Sequence, residues 1–100
     1  MPVVVRRDGD RVVLEIPGRF DFNVQHDFRQ AYRSEDPGHE YVVDLAETEY
    51  VDSAALGMLL MLRDHAGGDQ AKVLIENCSP PVRKLLERAR CDEFFPITEA

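Results

Sequence analysis

The stretch Tyr50-Val51-Asp52-Ser53-Ala54-Ala55-Leu56-Gly57 marks the point where an apolar strand and loop give way to a helix. We predict a helix that begins at Ser53 and ends near Ala66, before Gly67-Gly68. A serine here can cap the first-turn N–H groups, which is worth about 1 kcal/mol. The same helix end can accept a phosphate, because unpaired N–H groups and the positive end of the helix dipole meet there. The residues therefore leave two interpretations of Ser53 open, a structural cap and a phosphorylation site.

The predicted helix after Ser53 is apolar on two nearly opposite sides. One stripe consists of Leu56, Leu59 and Leu60, and the other of Ala54, Met58, Met61 and His65. Both stripes cannot face the same sheet. The second stripe either packs on a neighbouring helix or forms an exposed patch for a partner, a role that suits methionine because its side chain adapts its shape.

Strand and helix patterns alternate along the rest of the chain. We predict strands at residues 2–6, 11–16, 41–45 and 71–75, a hairpin turn at Asp8-Gly9-Asp10, and either a last short strand or a packed tail at 94–97. Asn23 is predicted to cap a helix that ends near Arg33, and Ser79 a helix with Pro80 at its first position. This order indicates an α/β fold with a mixed sheet and right-handed crossovers.

Length and composition indicate a single globular domain over residues 1–100. Hydrophobic residues make up 44% and charged residues 31% of the chain, which favours a packed core over disorder. No apolar run approaches the roughly 18 residues of a membrane-spanning helix, so we expect no membrane insertion. The first residues lack the layout of a signal peptide, and we expect a cytoplasmic protein.

Charge argues against nucleic acid as a partner. The formal net charge is −7, whereas a nucleic-acid binder needs a basic stripe to neutralise phosphates. Residues 19–52 hold nine acidic and three basic residues, a net charge of −6. Such a segment can steer a basic partner protein, or it can simply keep the surface solvated.

The chain carries no recognisable catalytic motif. It lacks a Gly-rich phosphate loop, a nucleophile elbow and a His-based metal cluster, so we expect no enzyme activity, no metal and no cofactor. His26 and His65 are expected to face solvent or to be packed. Cys78 and Cys91 are expected to be ordinary reduced thiols, with a redox, metal or nucleophilic role as the less favoured alternative.

The run 51–57 resembles the signature of the STAS domain found in anti-sigma factor antagonists: an aspartate, a phosphorylatable serine, a small residue that is usually glycine, and Leu-Gly. Three further segments carry the resemblance over nearly the whole chain. They are Asp10-Arg11-Val12-Val13 running to Gly18-Arg19-Phe20-Asp21, Tyr41-Val42-Val43-Asp44-Leu45, and residues 77–86.

The resemblance implies a STAS-like mixed sheet of about four to five strands with helices packed mainly on one face. It implies a bacterial partner switch, in which the unphosphorylated domain binds an anti-sigma factor, often a serine kinase of the histidine-kinase-like ATPase type, and frees a sigma factor. The resemblance further implies that phosphorylation of Ser53 blocks this binding and that a serine phosphatase restores it. The partner-binding surface carried over in this way comprises Asp21, Asp52, Ser53, Ala54, Met58 and Met61.

Two residues depart from the family's pattern. Ala54 stands where many relatives have a second serine or threonine, which leaves Ser53 as the only hydroxyl in the motif. Ala55 replaces the usual glycine and adds a methyl group near Ser53, which we expect to narrow the set of kinases that fit. An alternative from the same resemblance is a regulatory subunit that docks on the ATPase of an ABC-type lipid transporter.

Overall fold

Strands and helices alternate after an opening hairpin, as the sequence predicts. The structure is a computed structural model that describes residues 3–100. Its strands and α-helices, in chain order, are β1 (Val4–Asp8), β2 (Arg11–Glu15), β3 (Gly18–Phe20), α1 (Gln25–Arg33), β4 (Glu40–Asp44), β5 (Thr48–Val51), α2 (Ala55–Ala66), β6 (Lys72–Cys78), α3 (Pro80–Arg88) and β7 (Ile97–Glu99).

A five-stranded mixed sheet in the order β1-β2-β4-β6-β7 forms the centre of the fold. β1 and β2 pair antiparallel across the predicted turn, where Gly9 takes a φ of 64° that glycine adopts without strain. The other neighbours pair parallel. β1 is an edge strand, as predicted, although Pro2 lies outside the described residues. β6 runs three residues beyond the predicted end, and the last strand forms at Ile97–Glu99, three residues later than the predicted 94–97.

The helices pack mainly on one face of this sheet, which confirms the predicted fold class. Alternate strand residues point into the core on that face, because side chains along a strand alternate between faces. They are Val12, Leu14, Tyr41, Val43, Val73 and Ile75. The opposite face carries ion pairs that join Arg6 to Glu15, and Arg11 to Glu40 and Glu76.

Besides the start at Ser53, two helix starts are predicted from a capping residue, and one of these two predictions is correct. The Ser79 hydroxyl accepts the Val82 N–H at 3.3 Å, so it caps α3 as predicted. Asn23 does not cap α1; it lies inside a 3-10 turn (Phe22–Val24) from which α1 continues without a side-chain cap. The predicted end of α1 at Arg33 is confirmed.

Candidate functional site

A two-stranded parallel ribbon, β3 with β5, brings two distant parts of the chain together. Phe20 pairs with Val51, and the Asp52 N–H donates to the Phe20 carbonyl at 3.2 Å. At the other end of the ribbon, the Thr48 hydroxyl donates to the Ile16 carbonyl at 2.5 Å. The ribbon therefore fixes the loop after β3, which contains Asp21, against the loop after β5, which contains Ser53. Sequence reasoning missed it, since the segment after Pro17 reads as the end of a strand.

Asp52 is the residue that ties these two loops together. One carboxylate oxygen, Oδ1, accepts the Ala54 N–H at 2.9 Å, and the other, Oδ2, accepts the Phe22 N–H at 3.3 Å. Its backbone carbonyl accepts the Ala55 N–H at 3.2 Å. Two amides at the start of α2 are thus satisfied by Asp52, while its second oxygen holds the backbone of the opposite loop.

Ser53 does not cap the helix, so the prediction of a serine cap is wrong here. The residue lies in a turn and is exposed, and α2 begins two residues later at Ala55. Ala54 stands at the cap position without a side-chain bond. Within residues 3–100, the Ser53 hydroxyl makes no hydrogen bond. The hydroxyl is therefore accessible and uncommitted at the positive end of the α2 dipole.

The second apolar stripe of α2 packs largely on α1, which was one of the two interpretations. Met58 is only 4% exposed. This burial differs from the expectation that Met58 lies on an open partner-binding surface. His65 is also packed, with its Nε2 at 2.7 Å from the Glu35 carbonyl and its ring against Tyr32 and Tyr41. Only Met61, at 41% exposure, presents a large apolar side chain from this stripe to solvent.

Asp21 is buried, and its carboxylate already has hydrogen-bond and ion-pair partners within the chain. Its carboxylate accepts the Asn23 N–H at 3.0 Å and pairs with Arg19 at 3.2 Å. It therefore shapes the loop rather than offering a free charge. Arg19 in turn lies over the ring of Tyr50, with 4.3 Å from its guanidinium carbon to the ring centroid.

Phe22 is the prominent residue of this region that sequence reasoning missed. Its side chain is 65% exposed, more than any other large apolar side chain among the described residues. It follows Asp21 directly, and its N–H is the one bound by Asp52. A large apolar residue placed immediately after a capping aspartate is the signal that could have identified it.

Ala55 is fully buried beneath the turn that contains Ser53. Its methyl group packs into the hydrophobic core and cannot be touched by a docking protein. The expectation that this methyl group narrows the choice of kinase is therefore not supported by its position.

The two cysteines are buried, and their thiols are poor nucleophiles. Burial raises the pKa of Cys91 to about 11, with a further contribution from the Asp92 carboxylate, and burial also raises the pKa of Cys78. A reactive cysteine needs the opposite shift, because the thiolate is the nucleophile. Among residues 3–100, no cluster of three side chains could hold a metal ion. None of the helices described there combines the length and the apolar character that a membrane span needs.

The fold, with an exposed serine between a short ribbon and a helix, is that of a STAS-type domain. The family profile described as “Mlab, STAS domain” matches residues 3–98. The chain therefore belongs to the STAS domain family. A STAS-domain containing protein of Pseudomonas aeruginosa, PA14_20770, is 50% identical over 92 residues, which cover 91% of each chain.

Solved structures share the fold at low sequence identity. The anti-sigma factor antagonist SpoIIAA in its unphosphorylated form has a TM-score of 0.76 at 15% identity, over 95% of this chain and 86% of that one. The phosphorylated form of SpoIIAA from Bacillus has a TM-score of 0.62 at 14% identity, over 95% and 89%. A sulfate transporter family protein from Wolinella succinogenes has a TM-score of 0.75 at 15% identity, over 92% and 79%. The fold is thus similar both to anti-sigma factor antagonists and to transporter-associated domains.

Proposed function

We propose that this protein is a non-enzymatic, cytoplasmic anti-sigma factor antagonist that works as a partner switch. Its unphosphorylated form binds an anti-sigma factor, such as a serine kinase of the histidine-kinase-like ATPase type, and thereby releases a sigma factor. Phosphorylation of Ser53 blocks this binding, and a serine phosphatase restores it. The observation that carries the proposal is the exposed Ser53 hydroxyl, which has no hydrogen-bond partner among residues 3–100.

The local geometry supports this role for a phosphate. A phosphoserine adds roughly −1.5 to −2 charges at one point. It arrives beside Asp52, whose carboxylate already holds the nearest amide at the start of α2. A partner packed closely over Ser53 would then have to bury a bulky dianion next to a second negative charge. Desolvation and repulsion both oppose that burial, so binding is lost.

The comparisons support this proposal indirectly. SpoIIAA, whose fold this chain shares, is an anti-sigma factor antagonist and has been solved with and without phosphate. The signature around Ser53 supports the same proposal, whereas membership of the STAS domain family is compatible with both candidate functions.

The test compares Ser53→Ala with Ser53→Asp. The binding partners to screen are purified anti-sigma factors and serine kinases with a histidine-kinase-like ATPase domain from the same genome. We expect Ser53→Ala to bind its partner constitutively and Ser53→Asp to bind at least tenfold more weakly in titration calorimetry. Ser34→Asp is the matched control, because Ser34 is an exposed serine at the far end of α1. Equal binding by the two Ser53 variants contradicts the switch.

A second candidate function is regulation of a transporter, with the domain docked on the ATPase of an ABC-type lipid transporter. The similarity to a sulfate transporter family protein supports a transporter-associated role in general. Binding to a purified transporter ATPase that is insensitive to Ser53→Asp would favour this function over the first.

A further inference from the structure

We propose that Phe22 is the apolar anchor of the partner-binding surface, and that Asp52 holds it beside Ser53. The inference rests on the proposed function and adds the residue that supplies the binding energy. Interfaces draw most of their energy from a few large side chains that fill pockets on the partner. Phe22 is 65% exposed, and its N–H is bonded to the residue immediately before Ser53.

The backbone around Phe22 is held in place before any partner arrives. Besides the bond from Phe22 to Asp52, the Asn23 N–H donates to Asp21 Oδ1 at 3.0 Å and the Val24 N–H donates to the Asp21 carbonyl at 3.1 Å. A side chain on a pre-organised turn loses little backbone freedom on binding, so more of its contact energy appears as affinity. This rigidity distinguishes Phe22 from a loop residue that is exposed by chance.

In the proposed function, phosphorylation weakens binding, and this indicates which kind of partner surface lies over Ser53. A basic patch at this point would be attracted by the phosphate and would bind more tightly. A close-fitting apolar surface accounts for the loss of binding, because a dianion cannot enter it without a desolvation cost. Such a surface would cover the exposed Phe22, whose backbone N–H is hydrogen-bonded to Asp52, the residue before Ser53.

Acidic side chains on β5 and directly before it supply the charge for the rim of the same partner surface. Glu47 and Glu49 are exposed and form no ion pair among the described residues. In an extended chain Glu49 lies roughly 13 Å from Ser53, beyond the Debye length of about 8 Å at physiological salt. Cationic side chains facing these glutamates would therefore interact only weakly with a phosphate on Ser53. The occupant we propose is a partner pocket with an apolar floor, which receives Phe22, and a basic rim, which faces Glu47 and Glu49.

The experiment uses the partner selected by the Ser53 variants, that is, the purified anti-sigma factor or kinase that binds Ser53→Ala. Phe22→Ala is compared with Phe94→Ala, a matched control because Phe94 is also exposed (47%) but lies beside Lys72 and Pro96, near the start of β6. We expect Phe22→Ala to weaken binding at least 30-fold and Phe94→Ala to change it less than twofold. Phe22→Leu should recover part of the loss.

Two further measurements separate the anchor from the rim. Glu49→Gln should weaken binding moderately and reduce its dependence on salt, whereas Phe22→Ala should leave the salt dependence unchanged. Thermal unfolding checks that each variant is folded, which we expect because these side chains are exposed.

The outcomes distinguish this inference from the proposed function. If the Ser53 variants differ but Phe22→Ala binds like Phe94→Ala, the anchor is overturned and the switch stands. If the Ser53 variants bind equally, the switch itself fails before Phe22 is tested, and the inference that rests on it fails too. The other possible occupant of this surface is a second copy of the chain, and analytical ultracentrifugation tests for it. If the protein is a dimer that Phe22→Ala converts to a monomer while partner binding is unchanged, Phe22 serves self-association and the proposal is overturned.

Discussion

Two serines precede helices in this chain, and they make different use of their hydroxyl groups. Ser79 has extended backbone angles, φ −74° and ψ 161°, and its Oγ accepts a hydrogen bond from the first turn of α3. Ser53 lies one residue further from its helix and is exposed, and Asp52 binds the amides at the start of α2 instead. At α2 the neighbouring Asp52 accepts the amide hydrogen bond that a serine cap would accept, so the Ser53 hydroxyl remains available for phosphorylation.

The difference has a consequence for charge. A carboxylate near a helix N-terminus is favoured by the dipole, so Asp52 can replace a serine cap without loss of stability. The same carboxylate places a negative charge beside the position that a phosphate would take. An unmodified Ser53 therefore adjoins a satisfied helix end, whereas a phosphorylated one would have to compete with Asp52 for the same amides.

The largest expected contrast between the two serines is their reactivity with a serine kinase. With ATP and the cognate kinase, we expect phosphate on Ser53 and none on Ser79, because the Ser79 hydroxyl is bound to the Val82 N–H and only the Ser53 hydroxyl is free to enter an active site. Intact-mass analysis followed by peptide mapping measures both sites in one sample. Ser53→Ala should abolish incorporation, and comparable phosphate on Ser79 would break the contrast.

A smaller effect, on stability, is expected from removing the Asp52 carboxylate, which takes the place of a serine cap at α2. Asp52→Ala deletes the acceptor of the Ala54 and Phe22 N–H groups, so we expect a loss of about 1–2 kcal/mol in the free energy of unfolding. Urea denaturation measures it. Asp52→Asn keeps one side-chain oxygen and should lose less. An unchanged unfolding midpoint for Asp52→Ala would show that this aspartate does not stabilise the two loops.

Much of the fold follows from local sequence patterns, whereas the site depends on contacts between distant segments. The hairpin turn and the Ser79 cap are set by neighbouring residues, and both were predicted correctly. The ribbon that joins Phe20 to Val51 was not, because a three-residue strand has no periodicity to read. The hydrogen bonds of Asp52 could not be predicted for a related reason, and the packing of Met58 on α1 was only one of two open interpretations, since each depends on a partner about 30 residues away in the chain.

The smallest predicted effect is also the sharpest test of the comparison. Ser79→Ala removes a cap that is in use and should cost about 1 kcal/mol, which lowers the thermal midpoint of a 100-residue domain by about 4–8 °C. Ser53→Ala removes an exposed hydroxyl without a partner in the described chain and should change stability by less than about 0.5 kcal/mol. Paired thermal melts of the two variants decide the matter. If Ser53→Ala destabilises the domain as much as Ser79→Ala does, its hydroxyl is part of the folded structure after all, and a kinase would have to break that bond before it could reach the oxygen.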